Sequence, residues 1–432
     1  MRSDARKLDE HPRDYDALLE MVGEHAFVLL GEASHGTHEF YRMRAQITRR
    51  LIEEKAFDAV AVEGDWPDAW RIHRYVTGTG DDTLDDAFAD FRRFPTWMWR
   101  NRDVHEFVQW LASRNAGLQP SARVGFYGMD LYSLYRSADA VIAYLDQIDP
   151  GQADAARNLY LCLDHVRDPQ QYGYAAATGL RPPCREAAAN LLIDLIRKAP
   201  AYLDEEGRED GDAQFFAERN AHVVLNAEHY YRSMFGRRAN SWNLRDSHMT
   251  QTLLDLHRHL REQGRPGRIV VWAHNSHLGD ARATQMGQRG EWNVGQLLRE
   301  RAGAGQVLLV GFTTYTGHVT AARDWDLPAE RRWVRPAHRE SFEHAFHASR
   351  KDRFFLALPD GTDDPPGGAM LERAIGVVYR PETEMASHYF EAVLGAQFDA
   401  VFHIDESTAV EPLEVTEKWT RHEPPDTYPT GL

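Results

Sequence analysis

The stretch FVLLGEASHGTHE, residues 27–39, sets the pattern of this chain. Its apolar run, Phe27–Leu30, has the length and composition of a short buried strand. A turn with two glycines follows directly and carries Glu32, His35 and His38. A structural turn needs glycine or asparagine, but it does not need a carboxylate and two imidazoles. The stretch therefore predicts a strand whose exit carries functional side chains.

Strand and helix signals alternate on either side of this stretch. Helical spacing of apolar residues predicts a helix over Thr37–Glu54, and short apolar runs predict further strands. The predicted strands are Ala59–Val62, Val124–Tyr127, Arg268–Trp272, Val307–Val310, Phe354–Leu358, Ala374–Tyr379 and Ala400–Ile404. Strands separated by helices of this length favour an α/β fold, with a largely parallel central sheet flanked by helices.

The chain changes character between residues 131 and 264, where no strand is indicated. Amphipathic patterns predict helices at Ser133–Ile148, Gln152–Val166, Arg185–Arg197, Gln214–Met234 and Arg245–Gln263. We interpret residues 131–264 as a helical insertion that covers the cleft of a single α/β core, formed by residues 1–130 and 265–415. Residues 416–432 are polar and proline-rich, so we expect them to form a tail.

Composition narrows the classes of function. The 432 residues carry a net charge of −16, which argues against binding to nucleic acid or to anionic membranes. No apolar run has the length of a membrane span, and the N-terminal residues lack the apolar core of a signal peptide, so we expect a cytoplasmic protein. The two cysteines, Cys162 and Cys184, constitute neither a disulfide framework nor a zinc motif.

Three further strand-like runs end in titratable residues, as the first run does. These residues are Glu63 and Asp65, Asp130, and the pair His274 and His277. Ligands of open α/β sheets bind outside the carboxyl ends of the strands. Parallel alignment of the strands would therefore gather these side chains with Glu32 and His35 at one edge of the sheet.

Glu32 and His35 are three residues apart, close enough for the carboxylate to orient the imidazole. An imidazole held in this way is a suitable general base near neutral pH. The alternative is structural, with Glu32 capping the turn and His35 only satisfying that carboxylate. His38 lies at a helical position where a solvated surface role explains it equally well.

Glu63 ends a buried apolar run, where a carboxylate is costly unless it is paired or hydrated in a cleft. The alternative to a functional role is an ion pair with an arginine, either Arg44 or Arg71. Arg44 follows the first motif on the predicted helix, where it either faces the cleft or lies on the surface. A cleft-facing arginine would bind a carboxylate or stabilise an oxyanion.

His274 and His277 form an H-x-x-H pair after a predicted strand. Such a pair either binds a metal or supplies acid, base and oxyanion-binding groups, unless both are turn residues without function. With Glu32 and Glu63 the pair would make a divalent-metal shell, although the helical H-E-x-x-H pattern is absent. The chain also shows no G-x-S-x-G elbow, P-loop or dinucleotide motif. These absences favour water activated by histidine, without a cofactor, over a serine acyl-enzyme.

Aromatic residues cluster near these motifs and predict an apolar substrate pocket. The candidate substrate-binding residues are Trp66, Trp97, Trp99, Asp130, Tyr132 and His222. Packing of the aromatic rings against the sheet is the structural alternative, and His222 lies on a helix whose polar face is either solvated or turned to the cleft.

Six segments together resemble the erythromycin esterase family. They are GEASHGTHEFYRMR (31–44), VEGDWPDAWR (62–71), FPTWMWRN (94–101), GMDLYSLY (128–135), WAHNSHLGD (272–280) and RAIGVVYRPETEMASHYF (373–390). They extend over most of the chain, and their order and joint presence make the resemblance specific for family and fold.

The resemblance implies a hydrolase that opens a macrolide lactone by attack of water, and we expect a role in antibiotic resistance. His35 would be the general base, and Glu32 and Glu63 would support it and the water. Arg44, His274 and His277 would position a small-molecule ester or lactone and stabilise the oxyanion. Two other functions stay open: a metal-dependent hydrolase of an amide, peptide or phosphoester, and a binding protein without activity.

Overall fold

The computed structural model describes residues 5–163, 168–204, 211–235, 238–358 and 368–420. The chain divides into two compact units. The first unit contains Met1–Val60, Tyr75–Gly125 and Arg265–Leu432, and the second contains Ala61–Arg74 and Phe126–Gly264. The helices of the predicted insertion lie in the second unit. That they cover a cleft stays a prediction, as do the domain boundaries.

The strands of the described residues are mostly short. In chain order they are β1 (Arg6–Lys7), β2 (Phe27–Leu30), β3 (Ala59–Asp65), β4 (Gly125–Asp130), β5 (Ile269–Trp272), β6 (Val307–Ala321), β7 (Glu330–Val334), β8 (Arg353–Ala357), β9 (Met370–Arg373), β10 (Tyr389–Ala392) and β11 (Ala400–Ser407).

The α-helices include several long ones between residues 134 and 262. In chain order they are α1 (Asp16–Val22), α2 (His38–Lys55), α3 (Trp66–Thr77), α4 (Leu84–Ala87), α5 (Arg102–Asn115), α6 (Leu134–Ile148), α7 (Pro150–Tyr160), α8 (Pro169–Ala177), α9 (Arg185–Asp204), α10 (Gly211–Ser233), α11 (Arg238–Glu262), α12 (Asn275–Leu278), α13 (Gln285–Gln288), α14 (Val294–Ala302), α15 (Phe342–His347), α16 (Glu384–Ser387), α17 (Leu394–Gln397) and α18 (Glu417–Thr420). Short 3₁₀ helices lie at Pro12–Tyr15, Thr96–Met98, Pro120–Ala122, Ala281–Ala283, Ala304–Gln306 and Pro381–Thr383. Across the described ranges, none of the helices has the length and apolar character of a membrane span.

The first unit is built on a mixed, largely parallel sheet. Its strands lie in the order β1, β8, β11, β6, β2 and β5, and β7 pairs with the distal part of β6. β2 runs parallel to both β5 and β6, and β11 runs parallel to β6. The central strands read FVLL, IVVW and VLLV because both faces of a parallel sheet are covered by helices. The predicted α/β fold class is confirmed.

One predicted strand is wrong. The apolar run Ala374–Tyr379 does not join a ladder, and the strand of this region is β9, which pairs with β10. Ile375 instead donates its N–H to the Ala33 carbonyl at 2.7 Å, and Tyr379 donates to Ala322 at 3.1 Å. The run is apolar because Ile375 and Tyr379 fill a core cluster beside β6 and β7, not because it is a sheet strand.

The second unit is mainly helical. Helix α10 packs against α6, α8, α9 and α11, and its buried alanines, Ala217, Ala221 and Ala227, allow the neighbouring helices to approach closely. Cys162 and Cys184 form a disulfide that joins the end of α7 to the start of α9. The five helices predicted between residues 131 and 264 are confirmed with shifted ends, and no described residue in that range forms a strand. Residues 164–166 of the second prediction lie outside the described residues.

The predicted tail is described as far as residue 420. Glu417–Thr420 form α18, and the Trp419 indole N–H donates to Thr320 Oγ1 at 2.8 Å. The last part of the predicted tail, residues 421–432, lies outside the described residues.

Candidate functional site

The carboxyl ends of β2 and β5 lie level with each other, and β6 continues beyond them. Leu30 is paired in register with Trp272 on one side and with Val310 on the other. The chain therefore leaves β2 at Gly31 and leaves β5 at Ala273 on the same edge of the sheet. Within the first unit, this alignment places the GEASH and AHNSH segments next to each other, as the parallel arrangement predicts.

The turn after β2 is fixed by backbone contacts that admit no side chain at Gly36. A Cβ atom at Gly36 would lie 1.9 Å from the Thr320 carbonyl oxygen, so only glycine fits. The Gly36 carbonyl accepts hydrogen bonds from the N–H groups of Thr320 at 3.0 Å and Val410 at 2.8 Å. These two bonds anchor the turn to the end of β6 and to the segment after β11, which holds His35 in place.

A buried chain of charge-assisted hydrogen bonds links three of the predicted site residues. His35 Nδ1 lies 2.9 Å from Glu32 Oε1, and Arg44 Nη2 donates to Glu32 Oε2 at 2.8 Å. Glu32 and Arg44 are 0% exposed and His35 is 7% exposed. Since the carboxylate accepts from the ring at Nδ1, the neutral imidazole carries its proton there and keeps Nε2 as a proton acceptor.

Arg44 lies inside the fold, so its surface alternative is wrong. Its guanidinium lies 4.5 Å from the centre of the Tyr41 ring and 5.3 Å from that of Trp272. Its Nε and Nη1 atoms are buried and have no hydrogen-bond partner among the described residues. Tyr41 also donates its hydroxyl to the His35 carbonyl at 3.0 Å, which ties the arginine and the histidine to the same ring.

His274 lies beside His35, with 4.9 Å between the ring centres. Its Nδ1 accepts the Ser276 N–H at 3.2 Å and lies 2.8 Å from Ser276 Oγ. Because Nδ1 is an acceptor, the proton of the neutral ring is on Nε2, and that N–H is a donor. His277 is buried in the next turn, where its backbone N–H donates to the His274 carbonyl at 3.0 Å.

Glu63, Asp130 and Tyr132 meet in the second unit around one arginine. Arg245 Nη2 lies 2.7 Å from Glu63 Oε1 and 2.7 Å from Asp130 Oδ2, and its Nε donates to Asp130 Oδ1 at 3.0 Å. The guanidinium also lies 4.9 Å from the centre of the Tyr132 ring. Burial lowers the pKa of Arg245, but the carboxylates and Tyr132 outweigh it and raise that pKa well above its usual value.

Arg245 is a residue that the sequence analysis missed. The structure gives Arg245 as an ion-pair partner of Glu63, whereas Arg44, one of the two arginines considered, bonds to Glu32. A signal was present, because Arg245 shares a helical stripe with Met249, Thr252 and Leu256, all of which are buried. A charged residue on a buried stripe requires a charged partner. That Glu63 and Glu32 serve one site stays a prediction.

The aromatic candidates take different places. Trp99 is 4% exposed and packs edge-on against Tyr41, 6.3 Å between ring centres, so it contacts the residue that bonds to His35. Trp97 is buried, and its indole N–H has no partner among the described residues. Trp66 stacks between Tyr127 and Phe216 in the second unit, which is a core position. Their contacts with a substrate stay predictions.

Two histidines named in the sequence analysis have shifted pKa values. His222 is half-buried on α10, where burial and the nearby Arg219 lower its pKa to about 4. His38 Nδ1 lies 2.8 Å from Asp103 Oδ2, and that hydrogen bond raises the pKa of His38. Over the ranges that the structure describes, no group of three or more His, Cys, Asp or Glu side chains is arranged to hold a metal ion.

The fold and the site define an α/β protein with a buried carboxylate–histidine–arginine chain at the carboxyl edge of its parallel strands. The chain belongs to the erythromycin esterase family, whose model matches residues 52–407. It is similar to an erythromycin esterase type II of Escherichia coli, at 22% identity over 93% of this chain and 94% of that protein. Membership of this family supports an esterase-like hydrolase.

Solved structures share the fold. A Bacillus cereus protein superposes with a TM-score of 0.78 at 19% identity, covering 96% of this chain and 97% of that chain. A succinoglycan biosynthesis protein gives a TM-score of 0.75 at 18% identity, with the same coverage. A mutant of the erythromycin esterase EreC in its open conformation gives 0.68 at 18% identity, covering 95% of this chain and 99% of that chain.

The family match does not include every predicted site residue. Glu63, His274 and His277 fall within residues 52–407, whereas Glu32, His35 and Arg44 precede them. The match assigns no role to any single residue, so the roles of these six residues stay predictions that rest on the geometry and on the motifs.

Proposed function

We propose that this protein hydrolyses a carboxylic ester of a small molecule, a macrolide-type lactone first of all, with water that His35 activates. The observation that carries the proposal is the buried hydrogen bond of 2.9 Å between His35 Nδ1 and Glu32 Oε1. It leaves His35 Nε2 as the acceptor for a proton, which is what a general base requires.

Glu32 orients His35 and compensates its charge. When His35 takes a proton from water, the ring becomes an imidazolium, and the neighbouring carboxylate stabilises that cation. Arg44 bonds to the other oxygen of Glu32 at 2.8 Å, which gives the fully buried carboxylate a cationic partner. The three side chains thus act as one unit, with His35 exchanging the proton and the other two setting its orientation.

The reaction requires one proton, which His35 takes from water and later gives to the alcohol oxygen. The water oxygen bonds to the ester carbonyl carbon while its proton moves to His35 Nε2, and the carbonyl oxygen becomes an oxyanion. Collapse of this tetrahedral intermediate breaks the bond between carbon and the alcohol oxygen. His35 then returns its proton to that oxygen, and the products are a carboxylic acid and an alcohol.

His274 is the proposed donor to the oxyanion. Because His274 Nδ1 accepts the Ser276 N–H, the proton of the neutral ring is on Nε2, and an N–H of this kind donates to a negatively charged oxygen. Arg44 Nη1 and Nε are two further buried donors without a hydrogen-bond partner among the described residues, which fits an anionic group in this region. His277 lies on α12, the short helix that His274 caps, so we also propose a positioning role for His277.

A lactone of the macrolide class is proposed as substrate because the Escherichia coli relative bears the name erythromycin esterase type II. The buried rings of Tyr41 and Trp99, next to the site residues of the first unit, also suit an apolar ligand.

The test is mass spectrometry of macrolides and of a panel of simple esters after incubation with the purified protein. The wild type should add one water to a substrate, and His35→Ala should abolish that product. His38→Ala is the matched control, because His38 lies three residues further along, at the start of α2, and pairs with Asp103, and it should retain activity. Hydrolysis retained in His35→Ala would contradict the proposal.

A chelator arm separates the proposal from metal-dependent hydrolysis. The product should form at the same rate after treatment with EDTA. Loss of hydrolysis with the chelator and its recovery with a divalent metal would instead favour the metal-dependent hydrolase. If neither the macrolides nor the simple esters are hydrolysed, a binding protein without activity would be favoured.

A further inference from the structure

Two buried glutamates lie behind the turn that carries His274. Glu372 on β9 and Glu343 on α15 are both 0% exposed. The Oε2 atom of each has no hydrogen-bond partner among the described residues. Two buried acceptors without donors are costly, whereas one proton shared between them would satisfy both.

The surroundings decide which glutamate holds that proton. Glu343 Oε1 already accepts the Arg373 backbone N–H at 2.9 Å, and its carboxylate interacts electrostatically with the Arg373 guanidinium. Among the described residues, the hydrogen-bond partners of Glu372 are the amides of Asn275 and Gln397. Burial and the charge of Glu343 raise the pKa of Glu372 to about 8.

We propose that Glu372 is a neutral carboxylic acid that donates its proton to Glu343, and that this acid pair keeps Asn275 in the position that fixes the His274 turn. An effect of this acid pair on catalysis would rest on the proposed function, whereas the acid pair itself does not.

Asn275 connects the acid pair to the candidate site. Its backbone N–H donates to the Glu32 carbonyl at 2.8 Å. Its side-chain amide donates to the Phe312 carbonyl at 2.8 Å and accepts the Phe312 N–H at 3.2 Å. A Cβ atom at Gly31 would lie 2.1 Å from Asn275 Oδ1, which shows how closely this amide is enclosed. Asn275 therefore joins the segment after β2 and the middle of β6 to the turn after β5.

A neutral Glu372 leaves these bonds in place. Asn275 Nδ2 is 3.4 Å from Glu372 Oε1, a long contact beside the 2.8 Å bond to Phe312. An ionised Glu372 would accept more strongly and would draw the amide away from Phe312. Asn275 and Glu372 are thus positioning residues that act through the turn.

The other groups around the pair come from several elements. Arg373 adjoins Glu372 in the chain, and His403 on β11, together with Asp405, lies on the side of Glu343. Burial lowers the pKa of His403, so that ring is neutral in the range where Glu372 titrates. The other titratable side chains around the pair are Arg373, its partner Glu384, and Asp405.

The direction of the pH dependence follows from the raised pKa. The folded chain keeps a proton on Glu372 between the ordinary value of 4.5 and about 8, whereas the unfolded chain releases it. As the pH rises through this window, the wild type therefore loses stability relative to the Glu372→Gln variant. The unfolding equilibrium constant of the wild type relative to the variant should rise about tenfold per pH unit and level off above pH 8.

Infrared difference spectroscopy tests the protonation directly. At pH 7 the wild type should show the carbonyl band of a buried carboxylic acid that is absent from Glu372→Gln, and the band should disappear as the pH passes about 8. Glu343→Gln, which removes the neighbouring charge, should lower the pH at which the band is lost. Glu391→Gln on the paired strand β10, an exposed carboxylate, is the matched control and should leave the band intact. A wild type without this band, or a pH-independent ratio of unfolding constants, would overturn the acid pair.

A second readout tests the positioning role. The kcat of the wild type should fall as the pH rises through 8, and Glu372→Gln should lack this alkaline decline with little change in KM. The same decline in both proteins would overturn the positioning role and leave the acid pair standing. Absence of any hydrolysis would defeat the proposed function, while the infrared band and the unfolding ratio would still decide the acid pair.

Discussion

Removal of the Arg44 guanidinium should destabilise the protein strongly, since it leaves a buried carboxylate without its cation. In Arg44→Met the aliphatic stem stays to pack against Tyr41 and Trp272. Glu32, which is 0% exposed, then keeps only its hydrogen bond to His35. The substitution therefore isolates the charge from the packing.

The geometry gives the size of the effect. At the 2.8 Å separation of Arg44 Nη2 and Glu32 Oε2, two unit charges attract by about 6 kcal/mol at an effective dielectric constant of 20. Desolvation offsets part of this gain, and breaking one partner of a buried pair costs about 3–5 kcal/mol. We expect Arg44→Met to lower the free energy of unfolding by that amount. Glu32→Gln/Arg44→Met should recover about 2 kcal/mol, because no buried charge is left unpaired.

The assay is urea unfolding followed by tryptophan fluorescence, with the four proteins of the double-mutant cycle side by side. Arg42→Met is the matched control, because Arg42 lies on the same helix, is about 40% exposed in its side chain, and pairs with Glu10 at 3.4 Å. An exposed pair of this kind contributes less than about 1 kcal/mol. An Arg44→Met variant as stable as Arg42→Met, or strictly additive effects in the cycle, would refute the reasoning.

Three further predictions concern single residues. Arg245→Met should lower the free energy of unfolding by about 3–5 kcal/mol, because the two carboxylates that the arginine bridges lose their cation, and Arg245→Lys should lose less; equal losses in a urea titration would contradict this. Gly36→Ala should shift the urea midpoint down by at least the equivalent of about 1–3 kcal/mol, since its Cβ would meet the Thr320 carbonyl at 1.9 Å, while Gly376→Ala, where space is open, should not. Burial lowers the pKa of His388 to about 4, below its ordinary 6.5, so its neutral form stabilises the fold fully above pH 6.5. About 3 kcal/mol should be lost as the pH falls to 4, and a His388→Gln variant with the same acid profile would exclude His388 as the cause.

The local sequence patterns indicate the central part of the fold and the part of the candidate site that lies in the first unit. Continuous apolar runs such as FVLL mark the strands that are covered on both faces, and polar residues at their exits mark the sheet edge. Glu32, His35, Arg44 and His274 were predicted as site residues, and the structure places all four together in the first unit. Local motifs were sufficient here because each of these candidate residues lies in the segment after a strand or on the helix that follows.

Long-range partners were not readable from local patterns. Arg245 lies 182 residues from Glu63, so only the three-dimensional fold reveals their pair. Helix α8 escaped prediction because its alternation of apolar and polar residues is weak, although Asp168 caps it and Pro169 starts it. The run Ala374–Tyr379 looked like a strand because period and composition do not distinguish a strand from a buried loop.

The central claim is that His35 acts as the general base, and the most direct test compares turnover with binding in His35→Ala. For whichever ester the wild type hydrolyses, kcat should fall about 100- to 10,000-fold while the dissociation constant of the substrate changes little. A kcat close to that of the wild type, or a loss that appears only as weaker binding, would contradict the assignment of His35.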